Sequence, residues 1–242
     1  MNILRLTLWA EVPLALPMAH NQMIQGALYQ AWKEALPGIH DEGFSSGEGV
    51  FRMFTFGPLQ GRYEILDKRI LFRGAVSLEI RSPVPAMIEE LAAFYEETRV
   101  LRFGYQTLPL VNIEAAERRL FPASAIIRMR APVTIHSTLA DGHTQYYAPT
   151  ESAFPLLLAG NLASKITAAG LNLDPVLGIL PFERTLRKRV TTFKGSYITG
   201  YLGTFRLEAA PETMAFLYYT GLGDRSSQGF GMFDIIEGRP LA

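Results

Sequence analysis

Gly221-Leu222-Gly223-Asp224-Arg225-Ser226-Ser227-Gln228-Gly229-Phe230-Gly231 is the stretch on which the reading of this chain turns. Four glycines in eleven positions, with Arg, two Ser and Gln between them, make a loop whose backbone can come very close to another group and whose amides can point at an anion. Phosphate is the first candidate. The spacing G-x-G-x5-G-x-G fits neither the dinucleotide fingerprint nor a P-loop, which needs Gly-Lys-Ser/Thr. Met232 to Ala242, the residues that follow, are too few for a mononucleotide-binding unit. Taken by spacing alone, a glycine-rich turn entering a last edge strand, Gly229 to Ile236, explains the stretch equally well.

Working outward, the second half reads as strand Ser124–Ile135, helix Thr150–Ala169 and a long hairpin of Leu180–Phe193 with Tyr197–Leu207 turning at Lys194-Gly195-Ser196. The short helix Pro211–Thr220 and the glycine loop with its strand complete it. The first half shows the same order. Ile3 to Val12 alternates as a half-buried strand that Pro13 and Pro17 end. Asn21 caps a helix carrying Met23, Ile24, Ala27, Leu28, Ala31 and Trp32 at helical spacing, with Tyr29 in its last turns. After the loop Leu36–Gly43 come strands at Phe51–Phe56, Arg62–Leu66 and Ile70–Ile80, a helix from Ser82-Pro83 through Arg99, and an extended Leu101–Val111. Each half is β-α-β-β-α-β, which predicts an α+β protein of two tandem ferredoxin-like (RRM-like) domains, 1–121 and 122–242, joined near Phe121-Pro122-Ala123.

At 242 residues, 48% hydrophobic and 19% charged, the chain has the make-up of a soluble globular protein with a sizeable core. It has no cysteine, which excludes disulfides and thiolate metal sites. The start lacks a basic region followed by an unbroken apolar core, so no signal peptide is expected. No apolar run is long enough to span a bilayer, and a cytoplasmic protein without membrane partners is the expectation. A formal charge of zero counts against nucleic acid as partner, but the charge is unevenly spread. Arg184, Arg187, Lys188, Arg189 and Lys194 share eleven positions with no acid, while Glu89-Glu90 and Glu96-Glu97 gather elsewhere.

The glycine loop before a short last strand, together with the amino-terminal series of strand, proline-bearing turn, helix ending near Tyr29, His40-Asp41-Glu42-Gly43-Phe44 and Phe54-Thr55-Phe56, resembles the CRISPR repeat-processing endoribonucleases, members of the repeat-associated RNA-binding superfamily. The resemblance covers nearly the whole chain. It implies tandem ferredoxin-like domains and metal-independent RNA cleavage, in which the ribose 2′-hydroxyl attacks the adjacent phosphate and the 5′-oxygen leaves. It also implies that His40 is the principal acid or base, faced by Tyr29. Family members often carry a Lys a few residues after that His. Here no Lys stands between His40 and Lys68, and Arg52 can take its part with a bidentate fork. No cofactor and no metal are implied, and the residues agree: Asp41-Glu42 beside His40 lacks a second ligand cluster, and no G-x-S-x-G elbow offers a serine hydrolase.

The partner implied is the repeat of a precursor CRISPR transcript. An effector complex or a second copy of the chain stays open as a further partner, as does a rival reading in which the chain is a non-catalytic RNA-binding scaffold of such a complex. For RNA contact the sequence offers the basic hairpin (Arg184, Arg187, Lys188, Arg189, Lys194) and the loop residues Gly221, Gly223, Arg225, Ser226, Ser227, Gln228, Gly229 and Gly231. Among the other histidines, His20 beside the first helix is the alternative catalyst, and His136 and His143 read as solvent-facing loop residues. The aromatic residues at alternate strand positions, Phe51, Phe54 and Phe56, read as core.

Overall fold

The structure, a computed structural model, describes residues 1–35, 43–46 and 49–237. The first half contains β1 (Ile3–Pro17), α1 (Asn21–Ala35), β2 (Phe44–Ser46), β3 (Gly49–Phe51), β4 (Thr55–Phe56), β5 (Gln60–Leu66), β6 (Arg69–Arg81), α2 (Pro85–Thr98), β7 (Val100–Phe103) and β8 (Gln106–Ala116). The second contains β9 (Ser124–Met129), β10 (His136–Thr138), β11 (Thr144–Tyr146), α3 (Ala153–Ala168), β12 (Leu177–Pro181), β13 (Arg187–Phe193), β14 (Ser196–Leu202), β15 (Thr204–Ala209), α4 (Pro211–Thr220) and β16 (Phe233–Glu237). Two antiparallel sheets organise the chain. The first runs β4-β6-β1-β8-β7, with β5 also paired to β6; the second runs β12-β15-β9-β16. In both, the opening strand lies centrally between the third and fourth strands of a βαββαβ unit, which is the ferredoxin-like arrangement twice over.

Alternation builds the cores. Leu4, Leu6 and Leu8 of β1 point at Leu28 and Trp32 of α1 and at Ile88 and Leu91 of α2, while Ile3 joins the second core with Ile127, Phe154, Leu158, Phe205 and Leu217. Each such side chain contributes roughly 1.5–3 kcal/mol by leaving water. Phe54 and Phe56 are fully buried, as their pattern predicts. A third, small cluster of Phe193, Ile198 and Phe230, with Tyr146 against it, fastens the β13–β14 hairpin to the glycine loop.

Several boundaries differ from the sequence expectation. β1 does not stop at Pro13: it continues to Pro17, because a register shift between Ala10 and Leu14 absorbs the position that lacks an N–H. Phe51–Phe56 is not one strand but two short ones, interrupted at Arg52 to Phe54. The long hairpin proves to be two nested pairs. β12 and β15 belong to the sheet, and β13–β14 is a separate hairpin inserted between them after a 3-10 turn at Glu183–Thr185. Leu101–Val111 is a hairpin, β7–β8, turning at Gly104-Tyr105. Asn21 opens α1 without capping it, since its side chain reaches the carbonyls of Gln228 and Gly229.

The two sheets meet across a buried ionic cluster. Arg81, only 1% exposed, donates from Nε to Glu79 Oε1 (2.7 Å), from Nη1 to the Phe233 carbonyl (2.7 Å) and from Nη2 to Asp234 Oδ1 (2.9 Å). Arg130 Nη1 and Arg5 Nε also donate to Glu79, at 3.0 and 2.9 Å. Burial by itself favours a protonated Glu79, but the charges of Arg81 and Arg130 and the hydrogen bonds from Arg5 and Arg81 outweigh it and bring the carboxyl down to about 2. The Arg81 guanidinium lies 3.8 Å over the Tyr218 ring, adding a cation–π contact from α4. Among the described residues, no helix is long and apolar enough to cross a membrane.

Candidate nucleic-acid interface

The glycine loop, residues 221–231, lies at the junction of the halves and is held from three sides. From α1, Asn21 donates to the Gln228 and Gly229 carbonyls and Gln25 donates to the Ser227 carbonyl (2.8 Å). Thr55 Oγ1 of β4 donates to the Phe230 carbonyl (3.1 Å). From α3, the Lys165 ammonium donates to the carbonyls of Gly221 (3.0 Å) and Gly223 (2.6 Å). Lys165 is buried, and desolvation pulls its pKa down to about 8 although the Asp224 carboxylate acts in the opposite direction.

This geometry corrects the reading of the four glycines as close-approach positions for a ligand. All four are buried. The amides of Gly221, Gly229 and Gly231 donate to the carbonyls of Leu217, Ser226 and Pro132 within the chain. A Cβ at Gly223 would stand 2.5 Å from the Thr134 carbonyl oxygen, and one at Gly231 only 2.2 Å from that of Leu222, both at positive φ. The glycines let the loop pack against its own chain. What the loop offers outward is the side chains of Arg225, Ser227 and Gln228, with Ser226 largely buried behind them.

Those side chains line a cavity of about 300 Å³ together with Val50, Phe51 and Arg52 from the first half and His136, Asn161, Lys165 and Asp224 from the second. Two guanidinium groups, of Arg52 and Arg225, and one carboxylate, of Asp224, lie on its lining. Asp224 supplies its carboxylate, and both oxygens are engaged: Oδ2 accepts from the His136 amide (2.9 Å) and ring Nδ1 (2.6 Å), Oδ1 from Asn161 Nδ2 (2.8 Å). Two buried guanidinium nitrogens, Arg52 Nη1 and Arg225 Nε, have no acceptor among the described residues. A buried donor without a partner costs about 1–3 kcal/mol, and two guanidinium groups on the lining of one cavity favour a ligand that brings acceptor oxygens.

Arg52 also borders a second crevice, lined by Tyr29, Trp32, Gly43, Phe44, Met53, Phe54 and Met87, and so stands between Tyr29 and the loop. The Tyr29 ring meets Trp32 and Phe54 edge-on. His40, with Asp41 and Glu42, lies outside the described residues. His20 stands apart from this cavity: its Nδ1 is at 3.1 Å from the Pro17 carbonyl, its ring meets Phe72 edge-on, and burial lowers its pKa. Arg184, Arg187, Lys188, Arg189 and Lys194 are all exposed, on the 3-10 turn, β13 and the turn after it. The Lys194 amide donates to Gln22 Oε1 of α1 (3.3 Å), so the hairpin reaches across to the first half. Among the described residues no group of three or more His, Cys, Asp and Glu is placed to hold a metal ion.

His136 is not the solvent-facing loop residue that its surroundings in sequence predict. It is half-buried on β10 and tied to Asp224, 88 positions away, a pairing that local spacing cannot announce. Asn161 and Lys165 were legible in principle, as an amide and an ammonium four residues apart in a helix, α3, whose other residues are apolar or small hydroxyls.

Comparison with known proteins agrees with this architecture. Residues 115–235, half of the chain, match the family described as CRISPR associated protein Cas6, C-terminal. The chain is 25% identical over 234 residues to a CRISPR-associated endoribonuclease-like protein, Cas6nc, of Pyrococcus horikoshii, covering 92% of this chain and 94% of that one. Among solved structures, a Cas6-related protein of Pyrococcus furiosus superposes with a TM-score of 0.84 at 21% identity, covering 98% of this chain and 99% of that one. A RAMP protein described as binding different RNA substrates gives 0.83 at 22% identity, covering 98% and 100%. The chain belongs to the Cas6 family of CRISPR-associated proteins.

Proposed function

We propose that this chain is an endoribonuclease that binds the repeat of a precursor CRISPR transcript and cuts it without a metal ion. The observation that carries the reading is the shared cavity: Arg52 from the first half and Arg225 from the second bring two guanidinium groups to the lining of one space beside the glycine loop. Phosphodiester oxygens are acceptors that suit paired guanidinium groups. The exposed row Arg187, Lys188 and Arg189, fastened to the loop through Phe193 and Phe230, extends the positive surface along which a backbone can run.

In the reaction, the ribose 2′-oxygen bonds to the adjacent phosphorus as the bond from phosphorus to the 5′-oxygen breaks. The 2′-proton passes to a base and the leaving oxygen takes a proton from an acid. His40 serves as principal acid or base, Tyr29 orients it or contacts a phosphate oxygen, and Arg52 takes up charge that develops on the phosphate. The test is single-turnover cleavage of repeat RNA in a chelator, with His40→Ala beside the unmodified chain. The expected result is cutting in the unmodified chain and a loss of at least ~100-fold in rate with nearly unchanged binding in the variant. Cutting that needs added magnesium would refute the mechanism. A chain that binds the repeat and never cuts it would be an RNA-holding scaffold instead.

A further inference from the structure

We propose that His136 reads a ribose 2′-hydroxyl and gives the cavity its preference for RNA over DNA; the proposal rests on the RNA-binding reading above. An ionised carboxylate only accepts hydrogen bonds, so the 2.6 Å contact between His136 Nδ1 and Asp224 Oδ2 places the ring hydrogen on Nδ1. In the neutral ring Nε2 is then a lone pair, with no partner among the described residues. Asp224 is itself fixed, because its Oδ1 accepts from Asn161 and its amide donates to the Thr134 carbonyl (2.9 Å). The His136 ring is steadied on another side by Tyr146, with centroids 5.7 Å apart.

The cavity therefore presents two kinds of chemistry. Arg52 and Arg225 offer donors suited to phosphate, and His136 offers an acceptor that phosphate cannot use. A phosphodiester has no hydrogen to give, whereas the 2′-hydroxyl beside it does, and that hydroxyl is the group by which a protein tells RNA from DNA. The paired acceptor and donors match one ribonucleotide with its phosphate and leave a deoxyribonucleotide with an unanswered imidazole nitrogen.

The experiment is a cycle between protein and RNA. Repeat RNA is prepared with single 2′-deoxy substitutions at each position in turn, and binding is measured by fluorescence anisotropy in a chelator, with the RNA shown intact on a gel. His136→Asn is the informative variant, because its amide nitrogen can replace Nδ1 toward Asp224 while nothing replaces Nε2. His136→Gln, whose longer amide reaches the Nε2 position, is the companion. In the unmodified chain one 2′-deoxy position should weaken binding by about five- to tenfold, the size of one hydrogen bond. In His136→Asn the same substitution should cost nothing, with thermal stability close to that of the unmodified chain, and His136→Gln should recover part of the discrimination. Equal binding of the RNA and an all-deoxy repeat by the unmodified chain would overturn the proposal while leaving the anion-binding cavity in place. So would a His136→Asn chain that responds to every 2′-deoxy position as the unmodified chain does. A chain that binds neither nucleic acid would overturn the RNA-binding reading itself.

Discussion

Replacing Glu79 by Gln deletes the negative charge on which the guanidinium groups of Arg5, Arg81 and Arg130 converge, and the cost can be worked from the geometry. The carboxyl is brought from 4.5 to about 2 in the folded chain. At about 1.4 kcal/mol per pH unit, that difference is worth about 3 kcal/mol at neutral pH. The substitution keeps an amide oxygen as acceptor but leaves buried Arg81 with Asp234 as its one carboxylate partner among the described residues, which places the loss at about 3–5 kcal/mol. A depressed carboxylate contributes its stability above its unfolded value and loses it as pH falls through the folded one. Chemical denaturation of both chains from pH 7 downward should therefore show a wide gap in midpoint at pH 7. Below about pH 4.5 the gap should narrow as the unmodified chain protonates toward pH 2. An unchanged midpoint for Glu79→Gln at pH 7, or a gap that stays constant down to the acid limit, would refute the assignment of this cluster as a junction between the sheets.

Gly231→Ala should lower the melting temperature sharply, since the added carbon meets the Leu222 backbone at positive φ; Gly195→Ala in the open hairpin turn bears only the φ penalty and should cost about 1 kcal/mol. Differential scanning calorimetry of the two variants tests whether the loop glycines serve packing. Arg187→Ala, Lys188→Ala and Arg189→Ala combined should leave stability unchanged, because all three side chains are exposed, while flattening the salt dependence of RNA binding by about 0.7–0.9 per lost phosphate contact. An unchanged slope would remove the hairpin from the RNA path.

The topology was legible because its signals are local. Alternation in Ile3–Val12, helical spacing in Met23–Trp32 and the proline-led helices read from Ser82-Pro83 and from Pro211 each follow from neighbours a few residues apart, though the first of these helices starts two residues later, at Pro85, and two such series in tandem give both sheets. Boundaries failed where a longer-range force decided them: the pairing of β1 with β6 carries the strand past Pro13, and the packing of Phe193 and Ile198 on Phe230 turns one long hairpin into two. Tyr29 and Arg52 were singled out through the family resemblance, and the loop through its glycine spacing. The hydrogen bond of His136 with Asp224 and the carbonyl grip of Lys165 depend on contacts across 56 to 88 residues, which composition and spacing do not encode. Glu79 was invisible for the same reason, reading in sequence as an ordinary polar position on a half-exposed strand.

The grip of early residues on late ones also dictates the order in which the chain can mature. Arg81 needs acceptors 152 and 153 positions further on, Asn21 and Gln25 need carbonyls more than 200 positions away, and Thr55 waits for Phe230. As the ribosome extends the chain, the first sheet emerges with an open polar seam and a guanidinium that has Glu79 but neither the Phe233 carbonyl nor Asp234 until the last residues arrive. Contacts of such sequence separation are slow to form, and a chain waiting for them exposes apolar surface and unpaired strand edges. The glycine loop is thus the closing stitch of synthesis, and a chain stalled before it should be far more open to proteases than its near-complete first sheet would suggest.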